Sequence, residues 1–145
     1  MTARPAGLVY ARGGGHSWRS SRRRARHVRS PGYSQIIKVT GAQSLLFLAG
    51  QVPYSREGGV AHPGNFLAQA RSVFGAVKAH VEAAGGTLAD VVKITTYVTD
   101  IRYRLDFRTV RDEFFGERGP ASTFIEVGSL SHPDYMIELE AIAVI

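Results

Sequence analysis

Glu138 and Glu140 stand in an alternating run near the end of the chain, a pattern that few arrangements can accommodate. Around them the odd positions Ile137, Leu139, Ala141 and Ala143 are all apolar. Successive side chains of a strand point to opposite sides, so the apolar set faces a core and the two glutamates project together from the other face. Two carboxylates cannot sit buried and ionised without partners. That face therefore meets solvent, a partner chain or a ligand.

Upstream, residues 121–127 alternate in the same way, with Ser122, Phe124 and Glu126 on one side and Thr123, Ile125 and Val127 on the other. His132, Pro133 and Asp134 are turn formers in the link between the two runs. The sequence predicts a hairpin or a wider antiparallel connection, with Ser122, Glu126, Glu138 and Glu140 on one polar surface.

Charge separates the chain into two parts. Residues 1–30 hold eight arginines and no acid, while the rest of the 145-residue chain carries ten basic against twelve acidic side chains. The net charge of +6 thus belongs to the first 30 residues, and the remainder is mildly acidic. Residues 1–30 show neither helical nor strand periodicity, and a disordered extension is expected there. The run from Arg22 to Arg26 suits nucleic acid, an acidic surface or an organelle transit peptide, or is simply a solvated extension. Residues 31–145 are expected to form one domain. The sequence holds no cysteine, which excludes a disulfide framework and thiol chemistry. There is no apolar run of the roughly 18 residues that a membrane span needs. A soluble cytoplasmic protein is expected.

Within the domain, residues 35–40 and 45–52 read as a hairpin, and Gly50 marks a bulge or a close approach to the backbone. Asn65 can cap a helix running to about residue 84, with Leu67, Ala70, Phe74, Val77 and Val81 at helical spacing. Residues 91–99 form a β-branched strand. A second helix spans about 104–115, with Phe107, Val110, Arg111 and Phe114 as its inner stripe. The order β-β-α-β-α-β-β gives an α+β domain with both helices on one face of a mixed sheet.

The segments GYSQIIKV, LFLAGQVP, VKAHVEAAGGTLADVVKITTYVTD, RDEFFGE, GPAS and SHPDYMIELEAIAVI resemble the Rid (reactive intermediate deaminase) family, also called YjgF or L-PSP endoribonuclease-like. The resemblance covers residues 31–145 in unbroken order. It implies a chorismate-mutase-like subunit, a homotrimer with its sheets lining a barrel, and small-molecule sites in the clefts between subunits. It implies neither a metal nor an organic cofactor.

In members that hydrolyse 2-imino acids, an arginine of a Pro-Ala-Arg segment clamps the substrate carboxylate. Here the segment reads Pro120-Ala121-Ser122, so Ser122 stands where the clamp would be. Tyr33 matches the tyrosine that closes over the ligand, Gly50 the glycine of the segment before Gln51, and Glu138 the glutamate associated with positioning the attacking water. The resemblance thus implies a catalytic Glu138 and a binding set of Tyr33, Gly50, Ser122 and Thr123. It leaves open a small-metabolite-binding or regulatory trimer without turnover. Nucleic acid is not an expected partner except through the arginine-rich extension: His62, His80 and His132 are scattered, and the acidic domain disfavours phosphate.

Overall fold

The computed structural model describes Tyr10–Ala11 and residues 32–145. Six strands and two α-helices make up the described part: β1 (Tyr10–Ala11), β2 (Lys38–Val39), β3 (Leu45–Gln51), α1 (Phe66–Ala83), β4 (Val91–Val98), α2 (Arg104–Phe115), β5 (Ala121–Glu126) and β6 (Ile137–Val144). The main sheet has the order β3-β6-β4-β5.

α1 begins where its cap chemistry places it: the Asn65 Oδ1 accepts a hydrogen bond from the Ala68 N–H at 3.0 Å, satisfying one of the orphan donors of the first turn. Its apolar stripe of Phe66, Ala70, Val73, Phe74, Val77 and Val81 is buried. α2 lays Phe107 and Val110 into the same core. The Phe74 ring lies 5.9 Å from Phe107, 5.3 Å from Phe114 and 5.9 Å from Phe115, joining the two helices. Beneath them, Ile94, Val98, Ile137, Leu139, Ala141 and Ala143 form the sheet side of the core. The alternation in β6 is thus a core-facing set against an outward set.

Pairing departs from the sequence reading in two places. β5 does not form a hairpin with β6; it runs parallel to β4, while β6 lies antiparallel between β3 and β4. α2 supplies the crossover that a parallel β4–β5 pair requires. β2 likewise does not pair with β3: its two residues run parallel to Tyr10–Ala11. The expectation of a disordered extension over residues 1–30 falls, apart from Tyr10–Ala11, outside the described residues. In β5 the alternation separated the two faces of the strand correctly, but in neither place did the pattern carry information about the neighbouring strand.

The helices cover one side of the sheet only. Across the other side Leu45 is 56% and Phe47 75% exposed, and Ile125 on the far edge strand is 41% exposed. Among the described residues no helix is long and apolar enough to cross a membrane.

Candidate functional site

Gly50 and Glu138 come together because β3 bulges. Leu48 opposes Ala141 and Gln51 opposes Leu139, so β3 spends one residue more than β6 over that interval. A bulge re-aims the backbone locally. At Gly50 it brings the chain so close to β6 that a Cβ placed there would lie 1.8 Å from Glu138 Oε1 and 2.7 Å from its carboxyl carbon. Both alternatives raised for Gly50 are realised at once: it sits in the bulge, and the approaching group is the Glu138 carboxylate. Only a bare backbone leaves room for that carboxylate.

Glu138 and Glu140 share the open face with β4 side chains. Tyr97 opposes Glu138 and Thr95 opposes Glu140. The Tyr97 hydroxyl donates to Glu140 Oε2 at 3.0 Å. That hydrogen bond, followed by partial burial and the two nearby carboxylates, raises the Tyr97 pKa. On the same face Lys93 Nζ donates to the Ile94 carbonyl at 2.7 Å and to Thr123 Oγ1 at 2.7 Å. Burial lowers the Lys93 pKa, and the charge of Glu140 partly offsets this.

Ser122 and Glu126 do not belong to that surface. They flank Phe124 on the helix-facing side of β5, where the Phe124 ring packs 4.8 Å from Phe107. Glu126 Oε2 instead accepts the Ile101 N–H at 2.7 Å, fixing the start of the turn that leads into α2. The expected four-residue polar surface is thus split by the sheet, since β5 joins through β4 and turns its Ser122 side toward α2.

Tyr33 lies at the Ser122 end. Ser34 bridges to Ala121 in parallel, its N–H donates to the Pro120 carbonyl at 3.1 Å and its hydroxyl donates to the Gly119 carbonyl at 3.0 Å. Tyr33 is therefore held beside the segment that leads into Ser122. Arg111, which the sequence reading placed only in the inner stripe of α2, lies with its guanidinium carbon 5.6 Å from the centre of the Tyr33 ring.

The five candidate residues thus fall into groups. Gly50 and Glu138 touch, Tyr33 stands next to the approach to Ser122, and Thr123 is on the open face bound to Lys93. β6 and β5 are separated by β4, and Glu138 is level with Tyr97 and Ile125 rather than with Ser122. Strand spacings put Glu138 about 10 Å from β5 across the sheet and Ser122 about 10 Å further along it. A small ligand cannot span that gap within one chain. Among the described residues no group of three or more His, Cys, Asp or Glu side chains is placed to hold a metal ion.

The family model described as endoribonuclease L-PSP matches residues 25–145. The chain belongs to this family, the Rid (YjgF) family. The RutC family protein of Pyrococcus abyssi is 41% identical over 111 residues, covering 77% of this chain and 84% of that protein. The RutC family protein of Pyrococcus horikoshii is 42% identical over 111 residues, covering 77% of this chain and 85% of its own length. Among solved structures, the Rid family protein YyfB from Yersinia pestis superposes with a TM-score of 0.71 at 30% identity, covering 79% of this chain and 87% of that one. RidA from the Antarctic bacterium Psychrobacter sp. PAMC 21119 gives a TM-score of 0.65 at 32% identity, covering 81% and 92%. The α+β Rid fold, with two helices on one face of a mixed sheet, is thus common to this chain and its relatives.

Proposed function

We propose that this Rid family protein is a hydrolase of small enamines or imines, working in clefts between the subunits of a homotrimer. The observation that carries this reading is the Glu138 carboxylate lodged against the bare backbone of Gly50, a placement that suits a general base beside the main chain. A protonated imine is already electrophilic and needs only an oriented water and proton transfer. Glu138 would accept a proton as water adds to the imine carbon; the C–N bond then breaks, and ammonia leaves a carbonyl product. The separation of Glu138 from the Tyr33–Ser122 end within one chain supports a cleft completed by a second subunit.

Ser122 narrows the substrate class. Losing a bidentate charge-assisted contact in a desolvated site costs about 2–5 kcal/mol, or about 30-fold to several-thousand-fold in rate. Ser122 offers one hydroxyl and no charge, so simple 2-imino acids are poor substrates in this reading. Ser122, from the helix-facing side of β5, would instead contact a ligand that carries no carboxylate next to the reacting carbon, while Thr123 faces the open side and is held by Lys93. The same serine favours the second reading, a trimer that binds a small metabolite without turning it over.

An assay in which an amino-acid oxidase generates 2-imino acids and semicarbazide traps them separates these readings. Wild type is expected to be slow, Ser122→Arg faster, and Glu138→Ala in the Ser122→Arg background silent with its assembly intact. Fast hydrolysis by wild type would refute the inference drawn from Ser122. Undiminished turnover after Glu138→Ala would remove the proposed base, and ligand saturation with no product from any imine would favour the binding protein.

A further inference from the structure

Arg111 is a charged side chain only 3% exposed in the helix-facing interior, on the buried stripe of α2 beside Phe107 and Val110. A buried guanidinium is costly unless something is gained from its shape and charge. Its surroundings indicate what is gained. Nε and Nη2 both donate to Asp112 Oδ1, at 3.0 and 2.7 Å, and the planar group lies near the Tyr33 ring.

The arm that carries Tyr33 is shaped to reach it. Gly32 has φ +87°, a conformation that favours glycine, and a Cβ there would lie 2.1 Å from Arg111 Nη2 and 2.5 Å from Asp112 Oδ1. Gly119 is bare for the complementary reason: a Cβ on it would come within 2.3 Å of the Gly32 carbonyl oxygen. One glycine admits the guanidinium and the other admits the arm. Ser34 then ties the arm to Gly119 and Pro120, and the Tyr33 hydroxyl accepts from Gln35 Nε2 at 3.1 Å.

We infer that Arg111 is a positioning residue: from beneath the arm its guanidinium sets the Tyr33 ring at the Ser122 end of the cleft, and so controls ligand affinity through Tyr33. The inference rests on the proposed cleft for what Tyr33 touches, but the placement of the ring is measurable without any substrate. Arginine suits the role because its flat face stacks on an aromatic ring while its edge donates to Asp112. Lysine has no such face.

The experiment uses the full chain labelled with carbon-13 in its tyrosine rings, with the Tyr33 signal identified through Tyr33→Phe. Arg111→Met, Arg111→Lys and Gly32→Ala are compared with wild type by this signal and by KM and kcat for an imine that the protein hydrolyses. All three variants are expected to shift and broaden the Tyr33 signal, and to raise KM about tenfold with kcat nearly unchanged. In a Tyr33→Ala background, Arg111→Met is expected to change KM less than about twofold, because its effect has lost its carrier.

An unchanged Tyr33 signal in folded Arg111→Lys and Gly32→Ala overturns the inference, as does an undiminished KM penalty in the Tyr33→Ala background. A fall in melting temperature with the Tyr33 signal and KM unmoved gives Arg111 a purely structural role and also overturns it. If Arg111→Met fails to fold, Arg111→Lys and Gly32→Ala carry the test. A displaced ring in a protein that hydrolyses no imine upholds the positioning and refutes the hydrolase reading instead.

Discussion

At Gly50 a single missing methyl group decides whether Glu138 has a place to lie. Alanine there would collide with the carboxylate and the side-chain carbon behind it, at 1.8 and 2.9 Å. Relief requires the Glu138 side chain to rotate, which carries its carboxylate away from this place. Overpacking of this kind costs about 1–3 kcal/mol, and misplacing a reacting group by about 1 Å costs on the order of 100-fold in rate. Gly50→Ala is therefore expected to remain folded but lose most of its imine hydrolysis, as read by denaturant unfolding beside the trapping assay. Lys93 offers a separate test of the open face. Since burial lowers its pKa and Glu140 opposes this, Glu140→Gln is expected to lower it further in an NMR titration of the lysine side chain. The folded protein then releases this proton at lower pH than the unfolded chain does. Between that lowered value and the ordinary one near 10.5 the unfolded state binds more protons, so the Lys93 contribution to stability increases as pH rises through the window.

α1 does more than cover the sheet, because Gln69 reaches from it to the loop before β6. This fully buried side chain donates to the Asp134 carbonyl at 2.8 Å and accepts the Met136 N–H at 2.9 Å. The helix thereby fixes the chain two residues before Glu138. Gln69→Leu would leave both backbone groups without their partner, at about 1–3 kcal/mol each. A loss of about 2–6 kcal/mol in denaturant unfolding is expected, with faster amide exchange at Met136. Sequence reasoning assigned this helix correctly from Asn65 and the apolar spacing, but overlooked Gln69 because a glutamine adjoining a buried stripe has the same appearance whether it faces water or a loop carbonyl. Arg111 was placed on the inner stripe, yet its role depends on Gly32 and Tyr33, which lie far away in the chain.

For the whole molecule, the uncovered side of the sheet is the dominant feature. Exposed Leu45, Phe47 and Ile125 flank a polar band of Lys93, Thr95, Tyr97, Glu138 and Glu140. Exposed apolar side chains on both edges of an open sheet face suit an interaction surface, in agreement with the proposed trimer. Phe47→Asp combined with Ile125→Asp is expected to reduce the mass in solution toward that of one chain, as measured by light scattering on a sizing column, and to abolish turnover in the same preparation. A full-mass, active double variant would place the subunit contacts elsewhere. The sequence by itself determined the two helices, the buried and outward sets of each long strand, and the family, because periodicity and contiguous motifs are local properties. It also marked Gly50 and Glu138 as candidates. Tertiary structure alone decided that β5 lies parallel beside β4, that Ser122 and Glu138 look to opposite sides of the sheet, and that Arg111 meets Tyr33. The reason is physical: alternation determines which way a side chain points, but the neighbour it meets depends on hydrogen-bonded register and chain crossover, which bring together residues far apart in the chain.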